Sequence, residues 1–350
     1  MKTPDISIVI ACRNEREHIE DFVGSVLSQQ TGRYTMEVLV ADGISTDGTR
    51  ELLVQLCASD SRVTVLDNPG RIVSTGLNAA IGKARGEFIV RMDAHTIYAP
   101  DYVRQSVDTL QKTNAANAGG PARTSASTYW GKAVAAAYHS PFACGGARFH
   151  NVRFAGYVDT VPYGCWRRSM LVTLGGFDES LVRNQDDELN LRIIRAGGRV
   201  YQSPDIVSWY KPRSSLSALF RQYMQYGFWK VAVIRKHQIP ASFRHLVPGL
   251  FVVTVIGLAL TWAGLAVVGA TAAPLVGAVV VAVLLLYSAA AAAASVRTAA
   301  THGWDLLPVL PLVFATYHTS YGLGFLSGLL HFSRKSTAVA ASSRFATLSR

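Results

Sequence analysis

The sequence predicts an α/β fold in which a mostly parallel sheet is flanked by helices, followed by a C-terminal α-helical membrane region. Three observations carry that reading. Apolar runs rich in β-branched residues alternate with stretches of helical period over residues 5–92, the pattern of a parallel sheet wrapped by helices. Acids stand where those runs end, and open sheets of this kind bind ligands beyond the carboxyl ends of their strands. Charge then nearly vanishes: over residues 246–332 only Arg297 and Asp305 are charged.

Residues 5–11 form an apolar run suited to a strand buried on both faces. Residues 14–29 read as a helix, with Ile19, Phe22, Val23, Val26 and Leu27 on one face and Asn14 as N-cap. A second strand over 36–41 leads into a turn-rich segment at Asp42. The pattern continues with a helix over 50–59, a strand over 63–66, a helix over 74–84 and a fourth strand over 88–92. A helix is expected to start at Pro100-Asp101-Tyr102, and residues 115–120 read as a short strand. Residues 140–160 mix Gly, aromatics and Arg without a period, which marks a long functional loop. A helix from Ser169, another opening near Asn184, and short strands over 200–202 and 207–210 complete the polar part. Cys12, Cys57, Cys144 and Cys165 are scattered, show no paired metal spacing, and are expected to be reduced.

Asp93 and His95 follow the fourth strand with one small residue between them. In extended backbone, side chains two apart point the same way. The pair then offers a carboxylate and an imidazole to a divalent ion held against a diphosphate; the alternative is a polar turn with Asp93 capping the next element. The Asp42 loop offers a carboxylate to a base or ribose, or is a turn whose Asp, Gly, Ser and Thr serve its backbone shape. Asp186, Asp187 and Glu188 open a helix. They offer a general base of raised pKa, or simply suit the positive end of the helix dipole.

Taken in order, five motifs resemble a family over residues 5–235. They are Ile6-Ser7-Ile8-Val9-Ile10 with Arg13-Asn14-Glu15, Asp42-Gly43-Ile44-Ser45-Thr46-Asp47-Gly48-Thr49, Arg91-Met92-Asp93-Ala94-His95, Gly175-Gly176-Phe177-Asp178-Glu179 and Gln185-Asp186-Asp187-Glu188-Leu189-Asn190-Leu191-Arg192. The chain resembles family 2 inverting glycosyltransferases of the GT-A fold, of the succinoglycan type that builds bacterial exopolysaccharide. The resemblance implies that Asp42 contacts the nucleotide base, with Arg13, Asn14 and Glu15 beside that pocket. Asp93 matches the first acid of the DxD motif, which binds the metal and the donor diphosphate. His95 replaces the second Asp as a metal ligand; imidazole suits Mn²⁺ and softer ions, whereas Mg²⁺ prefers oxygen. Asp186 matches the catalytic base of the ED motif, with Gln185 in place of its Glu and Asp187 as a rival base. Gln185, Glu188, Arg192 and Trp229 are expected on the acceptor or membrane side.

The activity implied is metal-dependent hexosyl transfer with inversion, from a nucleotide-diphosphate sugar such as UDP-glucose to a lipid-linked saccharide, with Mn²⁺ or Mg²⁺ as cofactor. The enzyme is expected to be multi-pass in the bacterial inner membrane, with its catalytic domain cytoplasmic. Two alternatives stand beside this: a processive polysaccharide synthase and an inactive membrane scaffold of an assembly complex. Gln225 to Trp229 resembles the QxxRW motif of processive synthases, but Phe228 occupies its Arg position. A third alternative, a nicotinamide dehydrogenase on a related sheet, is disfavoured because no GxGxxG follows the first strand.

The expected domains are a GT-A domain over 1–212, an amphipathic interfacial helix and linker over 213–245, a transmembrane region over 246–333 and a polar tail over 334–350. Leu216, Leu219, Phe220, Tyr223, Met224, Val231 and Ile234 form an apolar stripe. Residues 211–244 contain seven Lys and Arg and no acid, the signature of a helix on an anionic membrane surface. No nucleic-acid partner is expected, despite the net charge of +11. Residues 246–270 and 273–295 are each long enough to span ~30 Å of hydrocarbon. Arg235, Lys236, Arg244 and Arg297 flank the pair, which puts both ends in the cytoplasm. A third crossing is expected over 306–332, although it would place Arg334, Lys335, Arg344 and Arg350 outside; the alternative, a re-entrant or interfacial hairpin, would keep them inside. The first apolar run is too short for a signal peptide and is followed at once by charges.

Overall fold

A computed structural model describes residues 3–333; the expected polar tail over 334–350, with Arg334, Lys335, Arg344 and Arg350, lies outside the described residues. The described chain divides into two units, residues 3–124 with 148–211 and residues 125–147 with 212–333. The expected first domain is thus interrupted, because residues 125–147 leave it for the second unit.

The first unit is built on alternating strands and helices. These are β1 (Ile6–Cys12), α1 (Ile19–Leu27), β2 (Met36–Asp42), α2 (Thr49–Ser59), β3 (Val63–Asp67), α3 (Val73–Lys83) and β4 (Phe88–Arg91). β5 (Thr96–Tyr98), α4 (Tyr102–Thr113), β6 (Asn117–Gly119) and β7 (Arg123–Thr124) follow. In the second unit, α5 (Tyr129–Tyr138) and α6 (Pro141–Cys144) come next. The first unit resumes with β8 (Gly156–Val158), β9 (Cys165–Arg167), α7 (Arg168–Thr173), α8 (Gln185–Arg195), β10 (Val200–Gln202) and β11 (Ser208–Tyr210). The main sheet has the order β3-β2-β1-β4-β9-β6-β10-β8, and β5-β11-β7 form a small second sheet. β3, β2, β1 and β4 are parallel, whereas β9 runs antiparallel between β4 and β6. β1 and β2 are buried almost end to end because helices cover both faces. Each Ile or Val so buried contributes about 1.5–3 kcal/mol.

Two local expectations are corrected. Asn14 does not cap α1: that helix starts only at Ile19, while Asn14 takes a left-handed backbone with φ 54° in the preceding loop. The unpatterned stretch over 140–160 is not one loop, since α6, a 3₁₀ turn (Arg148–His150) and β8 fall within it.

In the second unit, α9 (Leu216–His237), α10 (Val247–Val267), α11 (Ala273–His302) and α12 (Leu310–Phe332) follow in order. Among the described residues two helices are long and apolar enough to cross a membrane, Phe243–Val267 and Ala273–His302. The stretch expected as a third crossing is mostly α12, which buries Val313, Phe314, Tyr317, Ser320 and Phe325. α9 is not a helix with one free apolar stripe: Leu219, Gly227, Phe228, Trp229, Lys230 and Val231 are buried. Glycines let α9 and α12 meet backbone to backbone, Gly227 against Tyr321 and Gly324 against Met224.

Candidate active site

Parallel strands leave their loops on one edge, and the β1 and β2 loops there are clasped together. The Asn14 amide donates to Ser45 Oγ at 2.8 Å, and Asn14 Oδ1 accepts from the Thr46 amide at 2.8 Å. The Glu15 amide donates to Thr49 Oγ1 at 2.7 Å. Asp42, the last residue of β2, is 2% exposed; its carboxylate accepts from the Ser45 amide and hydroxyl. Arg50 Nη1 stands 3.9 Å from Asp42 Oδ2 as well, and a carboxylate, with about four lone-pair sites, can accept a further donor. Arg13 lies against Gly43, and its Nε is buried without a hydrogen-bond partner.

β4 ends at Arg91, the one charged side chain of that strand, and Arg91 is 3% exposed. Burial of a guanidinium demands paired acids. Nη1 donates to Asp186 Oδ1, and Nη2 reaches Asp93 Oδ2 at 3.1 Å. The rings of Tyr163 and Phe177 flank the guanidinium at 5.9 and 6.0 Å. The Asp93 amide donates to Tyr98 Oη at 2.7 Å, which fixes the backbone just beyond the strand.

Asp186 stands in the first turn of α8. Burial pushes its carboxyl up to about 6; Arg91 opposes that rise, while Asp93 and Asp187 add to it. The side chains of Asp93 and Asp186 each remain 30% exposed, so both open to solvent. Such a carboxylate has the basicity to take a proton from a hydroxyl near neutral pH.

Several expected site residues stand elsewhere. The backbone turns after Arg91, with the Thr96 amide donating to the Asp93 carbonyl, so alternation does not carry from Asp93 to His95. His95 Nε2 instead meets Glu15 Oε1 at 2.8 Å. Glu188 and Arg192 do not face an acceptor. Glu188 is fully buried and paired with Arg192, whose guanidinium also donates to the carbonyls of Leu174 and Gly176. Asn78 grips the same loop from α3 through both backbone groups of Phe177. Gln185 is buried, and Trp229 is buried in the second unit. Arg91, Tyr98 and Tyr163 were not expected at the site. An Arg inside an otherwise apolar strand was the available signal for the first of them.

Among the described residues no group of three His, Cys, Asp or Glu could hold a metal ion. At the end of β4 the site offers the partly exposed carboxylate of Asp93. That donor set suits a hard cation that keeps several waters and is held by one or two carboxylates together with substrate phosphates.

An open, mostly parallel sheet with its acids gathered at the strand ends is the GT-A architecture of glycosyltransferases. The chain belongs to glycosyl transferase family 2, whose family model matches residues 7–168. It is 33% identical over 243 residues to the succinoglycan biosynthesis protein ExoA of Rhizobium meliloti (strain 1021), covering 69% of this chain and 73% of that one. It is 28% identical over 239 residues to the dolichyl N-acetyl-α-D-glucosaminyl phosphate 3-β-D-2,3-diacetamido-2,3-dideoxy-β-D-glucuronosyltransferase of Methanococcus voltae, covering 66% and 74%. The mannosyltransferase PcManGT from Pyrobaculum calidifontis, solved with GDP-Man and Mn²⁺, superposes with a TM-score of 0.59 at 20% identity, over 93% of this chain and 88% of that one. That likeness bears on the fold alone.

Proposed function

We propose that this protein is a membrane-tethered inverting glycosyltransferase of polysaccharide synthesis. It moves a sugar, with UDP-glucose the first donor to test, onto a lipid-linked saccharide at the cytoplasmic face of the bacterial inner membrane. The observation that carries this reading is that Asp93 and Asp186 meet on one guanidinium, Arg91, and both stay partly exposed, one carboxylate for the donor end and one basic enough to activate a hydroxyl. The succinoglycan relative supports the pathway class, and the two long apolar helices support the tether.

In this mechanism the nucleotide lies along the β1 and β2 loops, its base against Asp42 and Ser45, with Arg13, Asn14 and Glu15 shaping the pocket. Asp93 holds the diphosphate end. A divalent cation, Mn²⁺ or Mg²⁺, bound there with the donor supplies positive charge to the leaving diphosphate. Asp186 takes the proton from the acceptor hydroxyl, whose oxygen attacks the anomeric carbon opposite the diphosphate. The new glycosidic bond forms as the bond to the diphosphate breaks, so the configuration inverts and a nucleoside diphosphate leaves. Asp187, beside it on α8, is the rival base. His95, held by Glu15, shapes the wall next to Asp93 rather than completing a ligand pair.

The test is nucleotide release by the full chain with a panel of sugar donors, with and without Mn²⁺. Wild type should release nucleotide with one donor class, and Asp186→Asn should lose about 10²–10⁴-fold of that rate. Asp93→Ala should lose its response to Mn²⁺. Unchanged turnover in both variants would revive the inactive scaffold, and a ladder of products would favour a processive synthase. Equal transfer to free and lipid-linked saccharide would overturn the acceptor.

A further inference from the structure

Arg91 divides one guanidinium between two acids, one two positions and the other 95 positions further along the chain. A buried cation whose task was only neutralisation would be served by one bidentate carboxylate. Here one arm goes to Asp186 on α8 and the other to Asp93 beyond β4. The guanidinium has little freedom to turn. Tyr163 and Phe177 flank it, and the Arg91 amide is tied to the Gly164 carbonyl at 3.1 Å. Phe177 is itself clamped by Asn78, and Arg192 holds the neighbouring Gly176 carbonyl. The fork therefore stands on a braced wall.

We propose that Arg91 is the positioning residue of the transfer reaction, setting where the Asp186 carboxylate stands relative to the donor end at Asp93. This rests on the base and donor roles assigned above. Distance is the quantity Arg91 controls, because displacing a reacting group by about 1 Å can cost about 10²-fold in rate. Its charge also acts on Asp186. The charged groups facing that carboxylate are Arg91, Asp93 and Asp187, and only Arg91 favours its ionised form.

The experiment uses the full chain in detergent with Arg91→Lys, Arg91→Gln and the control Asp186→Asn. It reads thermal melting, calorimetric affinity for UDP with Mn²⁺, and kcat against pH. Arg91→Lys keeps the charge and loses the fork. It should fold, bind UDP within about threefold of wild type, and lose about 10²-fold in kcat. Its acidic limb should stay where the wild type has it, since the charge beside Asp186 is kept. Arg91→Gln removes the charge, so its acidic limb should move up by roughly one to three pH units.

Wild-type kcat and pH profile in both Arg91 variants, with Asp186→Asn inactive, would overturn the proposal while leaving the base assignment intact. Loss of the folded state in both would also overturn it, since Arg91 would then be a structural prop. Full turnover by Asp186→Asn would remove the assignment on which the proposal rests.

Discussion

Glu37 lies in β2 at 5% exposure and still folds as an ionised acid. Burial alone would raise its pKa. The Ser7 hydroxyl, the Arg85 amide and the Arg85 guanidinium, at 2.7–2.8 Å, outweigh that and hold it below the usual carboxylate range. A depressed folded-state pKa adds stability above the unfolded value, and that stability is lost as pH falls through the folded one. Glu37→Gln should therefore cost about 1–3 kcal/mol near neutral pH, measured by denaturant titration, and the gap to wild type should close on acidification below about pH 4. The same rule explains what the sequence showed of the site. Asp42, Asp93 and Asp186 were legible because strand ends and helix starts reveal themselves locally. Which acids share a cation was not legible, since the Arg91–Asp186 contact joins segments that only the folded sheet brings together. His95 meets Glu15 rather than continuing the side of Asp93, because strand alternation stops where the chain turns after β4.

At the scale of elements, burial on both faces made β1, β2 and β4 readable as apolar runs, and the helices between them followed from period. β5, β7, β8 and β9 have two or three residues each, too few for any period, and they form only because neighbouring strands offer open edges. α9 was ambiguous in the sequence for a different reason. Its apolar residues fit a membrane stripe as well as a protein face, and the deciding signal lay in α12. Gly322, Gly324 and Gly328 there remove the side chains that would hold another backbone away. A Cβ at Gly324 would stand 2.0 Å from the Met224 carbonyl oxygen. That atom is main chain inside a helix and cannot swing aside. Gly324→Val should therefore destabilise the second unit by at least the 1–3 kcal/mol typical of overpacking, seen as a lower melting temperature and aggregation on extraction. Gly257→Ala on α10, where a Cβ meets nothing within 4 Å, is the matched control and should leave both unchanged.

For the whole molecule, charge at the ends of the apolar helices predicts the side of a membrane each part would occupy. α10 and α11 are joined by a short uncharged turn at residues 268–272, whereas Arg235, Lys236 and Arg244 precede the pair and Arg297 lies near its end. Basic residues tend to stay on the cytoplasmic side, so a hairpin of two crossings would put the turn outside and both flanks inside. On the proposed function, the catalytic unit, residues 3–124 with 148–211, would lie on that inner side with the nucleotide sugars that the reaction consumes. Thr271 in the turn and Thr301 near the end of α11 are both exposed, which makes them suitable reporters. In intact cells a membrane-impermeant maleimide should label Thr271→Cys, and Thr301→Cys only after permeabilisation. Cys12 and Cys165 are buried and give no background; Cys57 and Cys144 are partly exposed and are replaced by Ala beforehand. Label on Thr301→Cys in intact cells would place the Arg297 flank outside. With an even number of crossings, the catalytic unit would then be outside too, and the cytoplasmic donor reading would fail. Label on both positions in intact cells would mean that the helices do not cross as a hairpin at all.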